Sequence, residues 1–138
     1  MTPTQIDLVQ KTWEAVRPIQ DDAAALFYGR LFELDPDVRK LFKTDLKDQG
    51  RKLMTTLNVV VQGLTRLDSI LPSVQELGRR HRDYAVRPRD YETVGAALLW
   101  TLEQGLGAAF TPEVKEAWAS AYGTLAKVMI DASVRDAA

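Results

Sequence analysis

Val74-Gln75-Glu76-Leu77-Gly78-Arg79-Arg80-His81-Arg82-Asp83-Tyr84-Ala85 carries the one histidine of a 138-residue chain that has no cysteine. Val74, Leu77, Gly78, His81 and Ala85 recur at the spacing of a single helical face. The imidazole therefore belongs to an apolar stripe rather than to the wet side of its helix. Gly78 lies one turn below it, where a missing side chain lets a flat group or another backbone approach. A lone histidine on a helix is ordinarily solvated or packed. Here it is also the one imidazole available to hold a metal or to exchange protons near neutral pH.

The same period runs outward in both directions, and no segment shows sustained two-residue alternation. Thr2-Pro3-Thr4-Gln5 reads as a capping box with proline at the first helical position, opening a helix to about Arg17. Pro18 interrupts, and Asp21 or Asp22 can cap a second helix through about Glu33, with Phe27, Leu31 and Leu34 as its stripe. Asp35-Pro36 marks a turn and a short helical turn ending near Phe42; Lys43–Lys47 reads as loop. A third helix spans about Asp48 to Leu64, with Leu53, Leu57, Val60 and Leu64 on one face. Leu71-Pro72-Ser73 reads as punctuation, and Ser73 caps a short helix through about Tyr84. Arg87-Pro88 starts the next helix, lined by Tyr91, Val94, Leu98, Leu102 and Leu106 and weakened at its end by Gly105 and Gly107. Thr111-Pro112-Glu113 opens the last, whose inner stripe is Val114, Trp118, Ala121, Leu125 and Val128. The expectation is an all-α domain of six to seven helices.

Composition narrows the function. The formal net charge of −1 gives no basic excess for nucleic acid or an anionic membrane. The absence of cysteine excludes disulfides, thiolate zinc sites, iron–sulfur clusters and covalent c-type haem. One histidine excludes bis-histidine ligation within the chain. The longest apolar run, Leu57–Leu64, is too short to span a bilayer, and Met1-Thr2-Pro3-Thr4-Gln5 lacks the blocks of a signal peptide, so a cytoplasmic setting is expected. No phosphate loop, dinucleotide fingerprint or nucleophile elbow is present. Trp13, Trp100 and Trp118 fall at core spacing.

Polar residues interrupt three apolar faces. Besides His81, Gln49 lies four residues before Leu53, and Tyr28 stands between Phe27 and Phe32. A buried polar group left unsatisfied costs roughly 1–3 kcal/mol, so each needs a partner. One reading is a shared polar pocket inside an apolar shell. The alternative leaves the Tyr28 hydroxyl at the surface, Gln49 in water and His81 bonded to a carbonyl.

These residues together resemble the globin family, and within it the bacterial single-domain globins related to the haem domain of flavohaemoglobins. Leu34-Asp35-Pro36 followed by Phe42 is similar to the family's proline and its haem-stacking phenylalanine; Tyr28 precedes that proline by eight residues, as the distal tyrosine does. Gln49 in Asp48-Gln49-Gly50-Arg51-Lys52-Leu53-Met54 resembles the distal glutamine, and His81 the proximal histidine. Tyr84-Ala85-Val86, Tyr91-Glu92-Thr93-Val94-Gly95, Ala117-Trp118 and Ala121-Tyr122-Gly123 continue the likeness.

The resemblance implies a globin fold with three helices stacked on three, and haem b (iron protoporphyrin IX) on His81. It implies Tyr28 and Gln49 as the reactive distal pair. Phe42, Leu53, Val86, Val94 and Tyr122 would line the cofactor, Tyr91 would orient the imidazole, and Lys52 and Arg80 would reach the propionates. The implied ligands are O2, NO and CO, bound by a monomer or weak homodimer. Two functions follow: O2 binding or scavenging, and oxidation of NO to nitrate. The chain ends at Ala138, so one globin domain over 1–138 is expected, with any electrons coming from a separate reductase. The family's glutamate near the end of the last helix falls at Ser133 here, with Asp131 out of register, which implies weaker activation of the proximal side. A haem-free helical regulator is the third reading, disfavoured by His81 on the inner stripe.

Overall fold

The computed structural model describes residues 1–42, 45–83 and 86–135. Lys43 and Thr44 of the expected loop lie outside them, as do Tyr84 and Ala85 at the end of the histidine helix. Among the described residues the chain forms α-helices joined by short 3-10 turns, with no strand.

Helix α1 (Pro3–Val16) opens as expected. The Gln5 N–H donates to Thr2 Oγ1 and the Thr2 N–H to Gln5 Oε1, both at 3.1 Å. Helix α2 (Gln20–Leu34) differs from expectation at both ends. Pro18 sits inside a 3-10 turn, Arg17–Ile19, where its missing N–H is not needed. The chain therefore passes from α1 to α2 through one tight turn, and no aspartate cap forms. Asp21 and Asp22 instead occupy the first turn, against the positive end of the helix dipole. Leu34 is exposed, because α2 ends there and Asp35 turns to extended backbone. Ala24, Phe27, Tyr28 and Leu31 form the buried face.

After the 3-10 segment Pro36–Leu41, helix α3 (Leu46–Gln62) begins two residues before the expected Asp48. Asp45 caps it by accepting from the Lys47 N–H at 3.0 Å. Its buried residues are Gly50, Met54, Leu57, Val60 and Val61, and Leu53 lies at the edge. Leu57, Val60 and Leu64 are buried as the sequence reading has them, and only Leu53 departs from it, while Gly50 seats against Ala24 of α2. A Cβ at position 50 would stand 3.0 Å from that of Ala24.

Helix α4 (Leu67–Asp83) corrects a larger expectation: Pro72 lies within it, and no new helix starts at Ser73. Proline deletes one backbone bond and frees the carbonyl four residues earlier. Pro72 and Asp68 are both exposed, so water can satisfy that carbonyl. Packing of Ile70, Val74 and Leu77 supplies the rest of what holds the helix.

Helix α5 (Pro88–Leu106) starts at its proline and ends at Gly107, whose φ of +56° favours glycine. Helix α6 (Pro112–Arg135) is long enough to serve three partners. Its first half packs Val114, Ala117 and Trp118 with α1 and α5; its second half turns Ala126 and Met129 toward α4. Buried indoles find acceptors: Trp13 Nε1 donates to Asn58 Oδ1 (2.9 Å) and Trp118 Nε1 to Thr12 Oγ1 (2.8 Å). Trp100 is half-buried, beneath the Arg30 guanidinium.

The core is two apolar clusters. The larger draws on α1, α2, α3, α5 and α6, and the smaller gathers Val74, Tyr91, Ala126 and Met129; Tyr122 and Leu125 pack against both. Helix α3 thus belongs to one cluster and α4 to the other.

Candidate functional site

His81 is half-buried on α4, and its Nδ1 lies 2.8 Å from the Leu77 carbonyl oxygen one turn back. A carbonyl can only accept, so Nδ1 carries the hydrogen and Nε2 presents its lone pair outward from that bond. This tautomer is the one a metal requires, and the bond also fixes the ring's rotation. Burial holds the imidazole below its usual pKa, partly offset by the Leu77 bond. The neutral form is therefore favoured in the fold.

A pH dependence follows. As pH falls below 6.5 the unfolded histidine takes up a proton before the folded one does. The haem-free protein should lose stability as pH falls from 6.5 through the lowered folded value, and neither gain nor lose from this group above 6.5. Urea midpoints of wild type and His81→Gln, compared between pH 7.5 and 5.5, check this; parallel curves would exclude it.

Two tyrosines and a glycine continue this side of the site. The Tyr91 ring lies 6.2 Å from the His81 ring, tilted by 31°. Tyr91 is buried, and Tyr122 Oη donates to its backbone carbonyl at 2.6 Å, tying α6 to α5. Gly95 makes room for this: a Cβ there would stand 2.8 Å from Tyr122 Cε2. Beside Tyr91, the buried Asp90 carboxylate accepts from the Arg87 N–H (2.8 Å) and guanidinium (3.2 Å), locking the start of α5. Ser133 takes no part with the imidazole. Its Oγ donates to the Ile130 carbonyl at 2.7 Å.

The second group of residues centres on Tyr28. Its ring is buried and packed edge-on to Phe27 (5.1 Å) and Phe42 (5.3 Å) and stacked on Phe32 (6.1 Å). Burial pushes its hydroxyl up to about 12, so it remains a proton donor at neutral pH. Gly50 lies against the same ring, with its Cβ position 3.8 Å from Tyr28 Cε2, and the next residue back on α3, Gln49, is half-buried.

The fold distributes the candidate residues over the two clusters. Tyr28, Phe42, Leu53 and Val94 share one, while Val86 and Tyr91 share the other with Leu77, and Tyr122 joins both. Lys52 is exposed; Arg80 is exposed and 3.7 Å from Glu76 on the outer face of α4. Gly50, Gly95, Asp90 and Arg82 were not singled out by the sequence, because each acts on a residue distant in the chain or on a backbone group.

The haem implied by the resemblance fits what is here. The donor set offers one neutral imidazole nitrogen. Phe42, Leu53, Val86 and Val94 are each half-buried apolar side chains that a flat hydrophobic group would cover. Helices α3 and α4, which carry Gln49 and His81, bury their faces in separate clusters. A separate apolar cavity of about 80 Å³, lined by Val60, Leu64, Ile70, Val74 and Leu125, touches none of these candidate residues and plays no part in that fit.

Comparison with known proteins agrees with the fold. A family model described as Globin matches residues 25–129. The Flavohemoprotein of Bacillus subtilis (strain 168) is 27% identical over 128 residues, covering 91% of this chain and 32% of that protein. This chain therefore spans about a third of that relative's length. Neuroglobin of Tetraodon nigroviridis is 26% identical over 137 residues, covering 89% of this chain and 86% of that protein. The solved structure of a bacterial globin from Campylobacter jejuni superposes with a TM-score of 0.85 at 23% identity, over 97% of each chain, and so shares the fold.

Proposed function

The chain belongs to the globin family, and from that premise we propose that it holds haem b through His81 and binds O2, with NO and CO as competing ligands, for O2 binding or scavenging. The observation that carries this reading is the His81 Nδ1–Leu77 carbonyl bond, which leaves Nε2 as a metal donor in an apolar setting. Haem supplies an iron centre that binds diatomic gases and changes oxidation state.

The chain's own residues do the rest. His81 would hold the iron through Nε2, and the Leu77 carbonyl orients the ring for that role. Phe42, Leu53, Val86 and Val94 exclude water. Tyr28 and Gln49 serve as hydrogen-bond donors to the gas ligand, and Tyr28 keeps its proton because burial disfavours the phenolate. Phe27, Phe32 and Phe42 hold the Tyr28 ring, so the donor is aimed before a ligand arrives.

Tyr28→Phe removes this donor and little else, since the ring and its packing remain. The O2 dissociation rate should rise at least about tenfold, the worth of one charge-assisted bond. Stopped-flow displacement of O2 by CO measures it, and an unchanged rate would exclude Tyr28 from the distal role.

The likeness to flavohaemoglobins supports a second reading: NO and O2 joined into nitrate, with one electron per turnover from a separate reductase. The neutral Leu77 carbonyl raises imidazole basicity less than a carboxylate would, and the Ser133 hydroxyl is committed to Ile130, which favours ligand binding over turnover. Nitrate measured under repeated NO additions with a reductase present tests it. A yield that stops at one equivalent removes it.

A further inference from the structure

We propose that Arg82 is a positioning residue for the His81 imidazole, acting by locking the last turn of α4 in register with α6. The proposal rests on the haem reading above. In α4 the buried residues are Val74 and Gly78. Beyond Gly78, the described turn Arg79–Asp83 that carries His81 contains no apolar side chain. Hydrophobic packing alone therefore leaves that turn free to lift or rotate on α6.

Two contacts prevent it. Gly78 seats directly on the α6 backbone at Met129; a Cβ there would stand 2.6 Å from the Met129 Cα. One turn further along both helices, Arg82 Nη1 donates to the Ser133 carbonyl at 3.2 Å. Both pairs have the same sequence separation, so the helices run in the same direction through this seam with matched turns. His81 lies between Gly78 and Arg82 on α4. A guanidinium is suited to the task because its fork can serve two acceptors at once. Its other edge meets Asp83 Oδ1 at 3.4 Å, which orients it toward α6. The acceptor is a backbone carbonyl near the end of the described part of α6. At the far end of the turn, the Val86 N–H donates to the His81 carbonyl at 3.0 Å, so His81 is held on both sides.

The bond is made to a backbone atom, which gives a sharp control. Arg82→Ala should shift and broaden the iron–histidine stretching band of the ferrous protein by resonance Raman. It should also speed haem loss to excess apomyoglobin about fivefold, and Arg82→Lys should recover part of both. Ser133→Ala keeps the carbonyl and should leave band and rate unchanged. A merely structural arginine would lower the thermal midpoint and leave the band of the folded protein where it was; that result overturns the proposal. Hydrogen exchange in the haem-free protein tests the register separately. Arg82→Ala should speed exchange in residues 79–83 while residues 112–129 stay protected, and unchanged exchange in residues 79–83 overturns it. This exchange difference between Arg82→Ala and wild type, found together with a wild type that takes up no haem, would instead refute the proposed function.

Discussion

His81→Ala should purify as a folded helical protein without a Soret band, and haem added back should bind more than about a hundredfold more weakly than to wild type. The size of the effect comes from composition. With no cysteine and no second histidine, no other imidazole or thiolate in the chain can take over the iron. The fold should tolerate the change, because His81 is half-buried and its bond is to a carbonyl within its own helix. Truncation there should cost about 1 kcal/mol. Added imidazole should restore the band by occupying the space the side chain left. Visible titration with haemin, with circular dichroism as the control for folding, makes the measurement. A wild-type Soret band and haem affinity in His81→Ala would overturn the axial role outright.

The second large effect concerns stability. Gly78→Ala should destabilise the protein by about 2–3 kcal/mol, although alanine is the better helix former by about 1 kcal/mol. The new methyl would meet the Met129 backbone, which cannot turn aside as a flexible side chain could. Helices α4 and α6 would have to part, and the Arg82–Ser133 bond one turn away would lengthen with them. The contrast is Gly29, where nothing lies within reach of a Cβ and Gly29→Ala should be neutral or stabilising. Urea denaturation of both variants gives the comparison. Equal midpoints for Gly78→Ala and wild type would show that the seam can yield.

Several candidate site residues are legible in the sequence because their signals are local. Tyr28, Phe42, Gln49 and His81 stand at fixed spacings in the chain, and helical periodicity puts Tyr28, Gln49 and His81 on inner faces. Misreadings arise where a neighbour overrides a local signal. Pro72 looks like a stop but sits on an exposed flank of a helix held by its other face. Leu34 fits the α2 stripe but falls where the chain leaves the core. Leu53 fits the α3 stripe, whose other members Leu57, Val60 and Leu64 are buried, but lies at its edge, where Gly50 and Met54 take the position facing the core. Exposure of Lys52, and pairing of Arg80 with Glu76, lie beyond periodicity, which places a side chain on a face without naming its partner.

The amino-acid sequence by itself determined that the chain is helical, that Thr2, Pro3 and Gln5 open it, and that any metal must look to one imidazole on an apolar stripe. Those properties depend on residue type and on spacings of a few positions, which backbone geometry converts directly into faces and caps. Tertiary structure decided which His81 nitrogen is free, why position 78 is glycine, how Tyr122 holds Tyr91, and that Ser133 offers its carbonyl rather than its side chain. Apart from the Leu77 bond, each of these joins residues far apart in the chain, and several end on backbone atoms that every residue possesses. No side-chain pattern can announce a partner that is a carbonyl on another helix; only the packing of α4 on α6 brings it into reach.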